Sequence, residues 1–277
     1  MNSEFFIPET FEEALEIKGR TPKSFFLGGG TILNLWTKNS SKKLISLHKL
    51  GLKKVERHDG CIFADSMVTL TELSENPLIR DNVPLADLVA SCRIVSKNIR
   101  NMATVGGVLG SRYTRSDFLP LFLVLDCEVV SLSSEGERRE SVEEFLGRPP
   151  SKTTLIRGLA IREESKPFFF KTGRFARSSN DLPVVKVAVH FAPEGVAMKD
   201  LRIGCGGLYD KPLRLYELEE RLEGMDYSDP GLHEIIGKTL GEMAPGRSDI
   251  RGPQEMKKAF VAAILEDILA SAGKEEC

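Results

Sequence analysis

Leu27-Gly28-Gly29-Gly30-Thr31 follows the apolar run Lys23-Ser24-Phe25-Phe26 and precedes Ile32-Leu33-Asn34-Leu35-Trp36. The spacing predicts a strand over 23–27, a glycine turn, and a short helix over 32–36. Such a junction is an anion site, because free N–H groups and the helix dipole converge on one place. A second segment of like character, Thr104-Val105-Gly106-Gly107, is also flanked by apolar residues. Consecutive amides in a tight turn cradle phosphate oxygens, and glycine lets turn and ligand come close. A glycine cluster after a strand also reads as a bare turn. Two in one chain point to a pyrophosphate held by separate loops.

Neither segment is a common nucleotide signature. Leu33 stands where the third glycine of Gly-x-Gly-x-x-Gly is needed, and no lysine follows a glycine as an ATPase phosphate loop requires. The bulk composition is that of a soluble protein of two domains: 277 residues, 41% hydrophobic, 28% charged, formal charge -2. That balance argues against a nucleic-acid partner, which calls for a basic face. The N-terminus lacks the basic and apolar regions of a signal peptide, and no apolar stretch is long enough to span a membrane. Cys61, Cys92, Cys127, Cys205 and Cys277 are spaced for neither a disulfide framework, a zinc site nor an iron–sulfur site. Reduced thiols in the cytoplasm are the expectation.

The flanking pattern predicts an N-terminal α/β unit over residues 1 to about 50. Thr10 and Glu13 are placed as a capping box for the first helix, and Lys43–Leu47 forms the second strand. Strands are then predicted at Cys61–Ala64, Cys127–Leu132 and Thr154–Ile161, with Ser133–Arg138 as a polar turn. Thr69 caps one helix, Leu85–Cys92 reads as another, and Glu143–Leu146 begins a short excursion. After Arg162 the character changes. Strands at Phe168–Lys171, Val184–Val189 and Lys199–Gly204 are followed by helices over 230–240 and 254–272. The last helix is read with Met256, Phe260, Ala263, Ile264, Ile268 and Leu269 on one face. The boundary falls near 163–168, and the second half reads as a few antiparallel strands backed by helices.

Further candidates lie in Ser111-Arg112-Tyr113-Thr114-Arg115-Ser116-Asp117. Ser111 and Ser116 can donate to phosphate or ribitol oxygens, whereas an ionised Asp117 can only accept, as from a sugar hydroxyl. Asp117 also reads as the cap of a helix starting at Phe118. Lys171 reads either as a solvated strand residue or as a cation beside a flavin ring or diphosphate. His48, His58, His190 and His233 are scattered and lack metal-ligand spacing.

In order and spacing, these segments resemble the FAD-binding subunit of the molybdenum hydroxylase family, which includes xanthine dehydrogenases and carbon monoxide dehydrogenases. Leu27-Gly28-Gly29-Gly30-Thr31-Ile32 is similar to the family's pyrophosphate turn. Arg100-Asn101-Met102-Ala103-Thr104-Val105-Gly106-Gly107-Val108 is similar to its second glycine run, and Ser116-Asp117-Phe118-Leu119-Pro120 to its Ser-Asp-x-x-Pro step. Asn180-Asp181-Leu182-Pro183 and Ser248-Asp249-Ile250-Arg251-Gly252 resemble stretches that open and close its C-terminal domain. Val108 replaces the usual asparagine, Gly28 stands where alanine is common, and Met256-Lys257-Lys258 replaces a Tyr-Arg-Arg-like helix start. The region 122–130 carries no cysteine-rich insertion.

The resemblance implies an α+β fold. A two-lobed FAD-binding domain of the vanillyl-alcohol-oxidase-like (PCMH-type) class would cover 1–165, with subdomains about 1–54 and 55–165. A C-terminal α+β domain with a small antiparallel sheet and helices would cover 166–277. It implies FAD held by the two glycine segments, with Thr104, Gly106 and Gly107 in the second. Asp117 would lie near the ribityl or adenosine hydroxyls, Ile156 against the isoalloxazine, and Lys171 nearby. The implied partners are a molybdopterin-binding large subunit and a [2Fe–2S] small subunit, with electrons leaving to NAD+ or another acceptor. A dimer of heterotrimers is an assembly it admits. No catalytic acid, base, nucleophile or metal ligand is expected of this chain, since the flavin carries the chemistry. Two other readings stay open: a free-standing flavin oxidoreductase, and a flavin-free assembly module of the same fold. A further expectation is that Gly106→Val abolishes FAD binding while the fold stays intact.

Overall fold

The computed structural model describes residues 4–33, 43–82, 85–151, 153–163, 167–179 and 181–273. The chain forms two compact units. The first comprises Met1–Asn82, Cys92–Ser111 and Cys127–Glu163; the second comprises Val83–Ser91, Arg112–Asp126 and Glu164–Cys277.

The first unit opens with β1 (Glu4–Phe6), α1 (Phe11–Arg20), β2 (Ser24–Leu27) and β3 (Lys43–Ser46). The three strands make a parallel sheet in the order β1-β3-β2. Thr10 caps α1 by accepting from Glu13 N, and Ala14 and Ile17 bury the helix against Ile45 and Leu47. The return half of the expected box goes elsewhere, as Glu13 accepts from Glu9 N. Residues 34–36 of the helix expected after Ile32 lie outside the described residues.

A five-stranded antiparallel sheet follows, in the order β4-β5-β8-β6-β7. Its strands are β4 (Val55–His58), β5 (Cys61–Asp65), β6 (Glu128–Ser133), β7 (Gly136–Ser141) and β8 (Leu155–Arg162). Between them run α2 (Leu70–Glu75), α3 (Pro77–Arg80), α4 (Ala86–Ile94), α5 (Lys97–Arg100), α6 (Val105–Ser111), α7 (Leu119–Val124) and α8 (Val142–Gly147). Thr69 and Glu72 form a full capping box on α2.

Two expectations are corrected in this sheet and its connections. Ser133–Arg138 is not one polar turn, because Gly136–Ser141 pairs with β6 along its length. Its charged residues suit an edge strand, where charge discourages further pairing. Thr104–Gly107 is not a free turn either. Thr104 bridges to Thr69, and α6 begins at Val105.

The second unit is built on a four-stranded antiparallel sheet ordered β12-β11-β10-β9. Its strands are β9 (Phe169–Phe175), β10 (Val185–Glu194), β11 (Ala197–Gly206) and β12 (Leu213–Arg214). Strand alternation splits β10. Val185, Val187, Val189 and Phe191 join the core made by α9 (Tyr216–Leu222), α10 (Leu232–Glu242) and α11 (Gln254–Ala272). Lys186, Ala188 and His190 are also buried, on the opposite side. On α11 the buried stripe is Lys257, Val261, Leu265, Ile268, Leu269 and Ala272. The expected face is therefore rotated: Met256, Phe260 and Ile264 are half-buried and Ala263 is exposed.

Candidate functional site

Strand β2 delivers the first glycine segment. Leu27 pairs with Ser46, and its carbonyl accepts from Leu47 N at 3.1 Å, so the chain leaves the sheet at Gly28. Gly30 has φ of +71°, the left-handed region that glycine enters without steric cost. A Cβ built on Gly28 would stand 2.8 Å from Thr104 Oγ1, and one on Gly29 only 1.5 Å from Met102 O. The loop is thus pressed backbone to backbone against the chain that leads into the second segment. Among the described residues, no acceptor pairs with the amides of Gly28, Gly29, Gly30 or Thr31. Four successive half-buried amides without an acceptor among the described residues are placed to receive an anion.

The second segment is closed by its own bonds. Val105 N donates to Val68 O at 2.9 Å and Gly106 N to Ser66 O at 2.8 Å. Gly107 N donates to Thr104 Oγ1 at 3.1 Å. A Cβ on Gly106 would meet Ser66 Cβ at 2.6 Å and Ser66 O at 2.9 Å. Glycine is required there by packing, and both glycine amides already have partners. The expectation of an intact fold in Gly106→Val is therefore corrected. Ser111 Oγ donates to Val108 O at 2.8 Å. Ile156, half-buried on β8 beside a register shift at Arg157, has its Cδ1 3.5 Å from a Cβ placed on Gly110. Leu27, Gly28, Gly29, Thr104, Gly106 and Gly107 are thus brought together, with Gly110 linking Ile156 to α6. Thr31 and Ile32 complete the first loop as a half-buried turn.

Ser116, Asp117 and Lys171 belong to the second unit. Ser116 Oγ accepts from Phe118 N at 3.1 Å and Leu119 N at 3.2 Å. The capping role open to Asp117 is taken by Ser116. Asp117 is buried, with Oδ1 3.1 Å from Arg174 Nε. Burial pushes its carboxyl pKa up, and Arg174 and Lys186 pull it down. Lys171 sits half-buried on β9 opposite Val189.

The sequence reading missed the paired charges of the second unit. Lys186 donates to Thr172 Oγ1 at 2.8 Å and Ser91 Oγ at 3.2 Å. Arg251 holds Asp181 through two nitrogens, at 2.8 and 3.0 Å, and Lys257 lies 3.1 Å from Asp249. A signal existed for Lys186: one lysine inside Val184-Val185-Lys186-Val187-Ala188-Val189 must find partners once the strand is buried.

The buried thiols and two of the histidines are engaged in packing or pairing. Burial pushes the Cys92 and Cys205 thiols up to about 12, which removes their nucleophilic character. His190 packs on Phe168 at 4.9 Å, and His233 meets Glu266 at 2.8 Å. Among the described residues no cluster of three or more His, Cys, Asp or Glu could hold a metal, and no helix is long and apolar enough to cross a membrane.

Comparison with known proteins fits this geometry. Residues 1–161 match the family described as FAD binding domain in molybdopterin dehydrogenase. Residues 170–272 match the CO dehydrogenase flavoprotein C-terminal domain. YgfM, an uncharacterized protein of Escherichia coli (strain K12), is 30% identical over 284 residues, covering 99% of both chains. The glyceraldehyde dehydrogenase medium chain of Sulfolobus acidocaldarius is 23% identical, covering 92% of this chain and 93% of its own. The solved carbon monoxide dehydrogenase from Hydrogenophaga pseudoflava superposes with a TM-score of 0.89 at 17% identity, covering 99% and 98%. The expected fold, a PCMH-like N-terminal domain followed by an α+β domain with an antiparallel sheet, is thereby met. The chain belongs to the FAD-binding subunits of the molybdopterin dehydrogenases, the family of the carbon monoxide and xanthine dehydrogenase flavoproteins.

Proposed function

We propose that this chain binds FAD and relays electrons within a molybdenum hydroxylase complex. Electrons would arrive from [2Fe–2S] clusters on a small partner subunit, fed by a molybdopterin-binding large subunit, and leave to NAD+ or another acceptor. The observation that carries the reading is the Gly28–Thr31 loop, whose amides find no acceptor among the described residues and whose backbone leaves no room for a Cβ at Gly29. The description "medium chain" borne by the Sulfolobus relative supports membership of a multi-subunit assembly.

FAD, when bound, supplies redox chemistry that the side chains of this chain lack. The residues divide the remaining work. The amides of Gly28 to Thr31 would receive the pyrophosphate oxygens, and Leu27 and Ile32 would anchor the loop at its ends. Thr104 Oγ1, already accepting from Gly107 N, braces the loop from the other side. Gly106 acts by allowing α6 to meet Ser66, and Ser111 and Ile156 would line the apolar end of the site. Ser116 and Asp117 would act mainly through structure, since Ser116 caps α7 and Asp117 faces Arg174. Lys171 would supply positive charge near the ring. Domains of 1–165 and 166–277 and a cytoplasmic location are part of the same proposal.

The experiment is titration of the purified chain with FAD, followed by flavin fluorescence and visible absorption, then NADH oxidation by the loaded chain and co-purification of its partners. Stoichiometric FAD binding with two co-purifying redox subunits is expected. Failure to bind FAD would leave the flavin-free assembly module in its place.

A further inference from the structure

The interior of the second unit holds a charge that the preceding account leaves unused. Lys186 is 1% exposed. Its neighbours Val185 and Val187 enter the helix-facing core, so strand alternation turns Lys186 to the other side. There Nζ donates to Thr172 Oγ1 at 2.8 Å and to Ser91 Oγ at 3.2 Å. The charged groups facing it are Asp117, Asp87 and Arg174, two negative and one positive. Asp87 accepts in turn from the Thr172 amide. Thr172 is therefore held twice, by its side chain through Lys186 and by its backbone through Asp87. It lies between Lys171 and Arg174, and Arg174 Nε is 3.1 Å from Asp117 Oδ1. A buried ammonium is costly unless paired. A methionine would fill similar space without that cost, so packing alone does not account for a lysine.

We propose that Lys186 is a positioning residue of the flavin site, holding the Lys171–Arg174 stretch of β9 against the Ser116–Asp117 step. The inference rests on the FAD reading given above. The hold rests on donation from Nζ to Thr172 and Ser91. Burial lowers the Lys186 pKa to about 8, against the pull of Asp117 and Asp87, so the packed strand gains on the open one as pH rises through that value.

The test compares the full-length wild-type chain with Lys186→Met and Thr172→Val. Amide hydrogen-exchange protection over residues 113–118 and 171–175, corrected for the intrinsic effect of pH, reads positioning without added flavin. Both variants should lose protection in both stretches near neutral pH. Wild type should gain it as pH rises through about 8, and Lys186→Met should show no such step. FAD titration over the same range should give about tenfold weaker binding in Lys186→Met, the effect of one hydrogen bond from a charged donor. Unchanged protection in both variants would overturn the proposal, as would a pH step that persists in Lys186→Met. Thr172→Val keeps the test decisive should Lys186→Met fail to fold. A wild-type chain that binds no FAD would overturn the functional reading and the flavin part of this proposal, while exchange still decides the positioning part.

Discussion

Gly29 lies so close to Met102 that a Cβ on the glycine would fall 1.5 Å from the Met102 carbonyl oxygen. This contact locks the first glycine loop to the turn that leads into the second. Any side chain at Gly29 must push the two apart, and the pushed loop is the one whose amides have no acceptor among the described residues. Gly29→Ala should therefore weaken FAD binding by about a hundredfold, the scale of losing two charge-assisted bonds. Flavin fluorescence titration measures it, with circular dichroism checking that the sheets persist.

Gly106 behaves differently. Its amide is bonded to Ser66 O, and its missing Cβ makes room for Ser66. Gly106→Ala should cost about 1–3 kcal/mol of stability by overpacking, seen as a lower Tm before any flavin is added. An unchanged Tm would contradict the packing role.

Asp181 is held by Arg251 and Arg177, which keep its carboxyl below its ordinary 3.8. A lowered carboxylate pKa gives stability that is present above the unfolded value and lost as pH falls toward the folded one. Wild type should thus lose more stability than Arg251→Met as pH drops below about 4. Denaturant melts of the two proteins at stepped acid pH measure the difference.

Lys186 has linkage of the same sign in a more alkaline window. Its folded pKa of about 8 lies below the ordinary 10.5, so between those values the unfolded chain holds more protons. The stability of wild type relative to Lys186→Met should therefore rise with pH across that window. A flat difference in denaturant melts would contradict the buried charge.

Thr69 and Glu72 make reciprocal bonds at the start of α2, with Glu72 N donating to Thr69 Oγ1 at 3.1 Å and Thr69 N to Glu72 Oε2 at 2.8 Å. Thr69→Ala should cost about 1 kcal/mol, measurable as a Tm decrease. FAD affinity should change little, because Thr104 is also held there by the backbone bond from Leu70 N to Ala103 O.

Much of this architecture is legible in the sequence. Short apolar runs mark β5, β8 and β10, an alternating one marks β6, and the glycine run after β2 marks a turn leaving the sheet. The elements that escape reading are those set by distant partners. Helix α6 contains Gly106, Gly107 and Gly110, poor helix formers; the bridge of Thr104 to Thr69 and the tight seat on Ser66 impose it. Strand β7 is read as a turn because its charged run has no apolar period, and only β6 supplies its register. On α11, Lys257 enters the buried stripe because Asp249 and Arg247 O receive its ammonium. Asp181 and Arg251 lie too far apart in sequence for local pattern to join them.

The central claim is that the Gly28–Thr31 loop is an FAD pyrophosphate cradle. Its most direct measurement is the phosphorus NMR spectrum of FAD titrated with the purified wild-type chain and with Gly29→Ala. The account predicts shifted, broadened pyrophosphate resonances with wild type and free-FAD resonances with the variant under the same conditions. Free-FAD resonances with both proteins, or identical shifts with both, would contradict it.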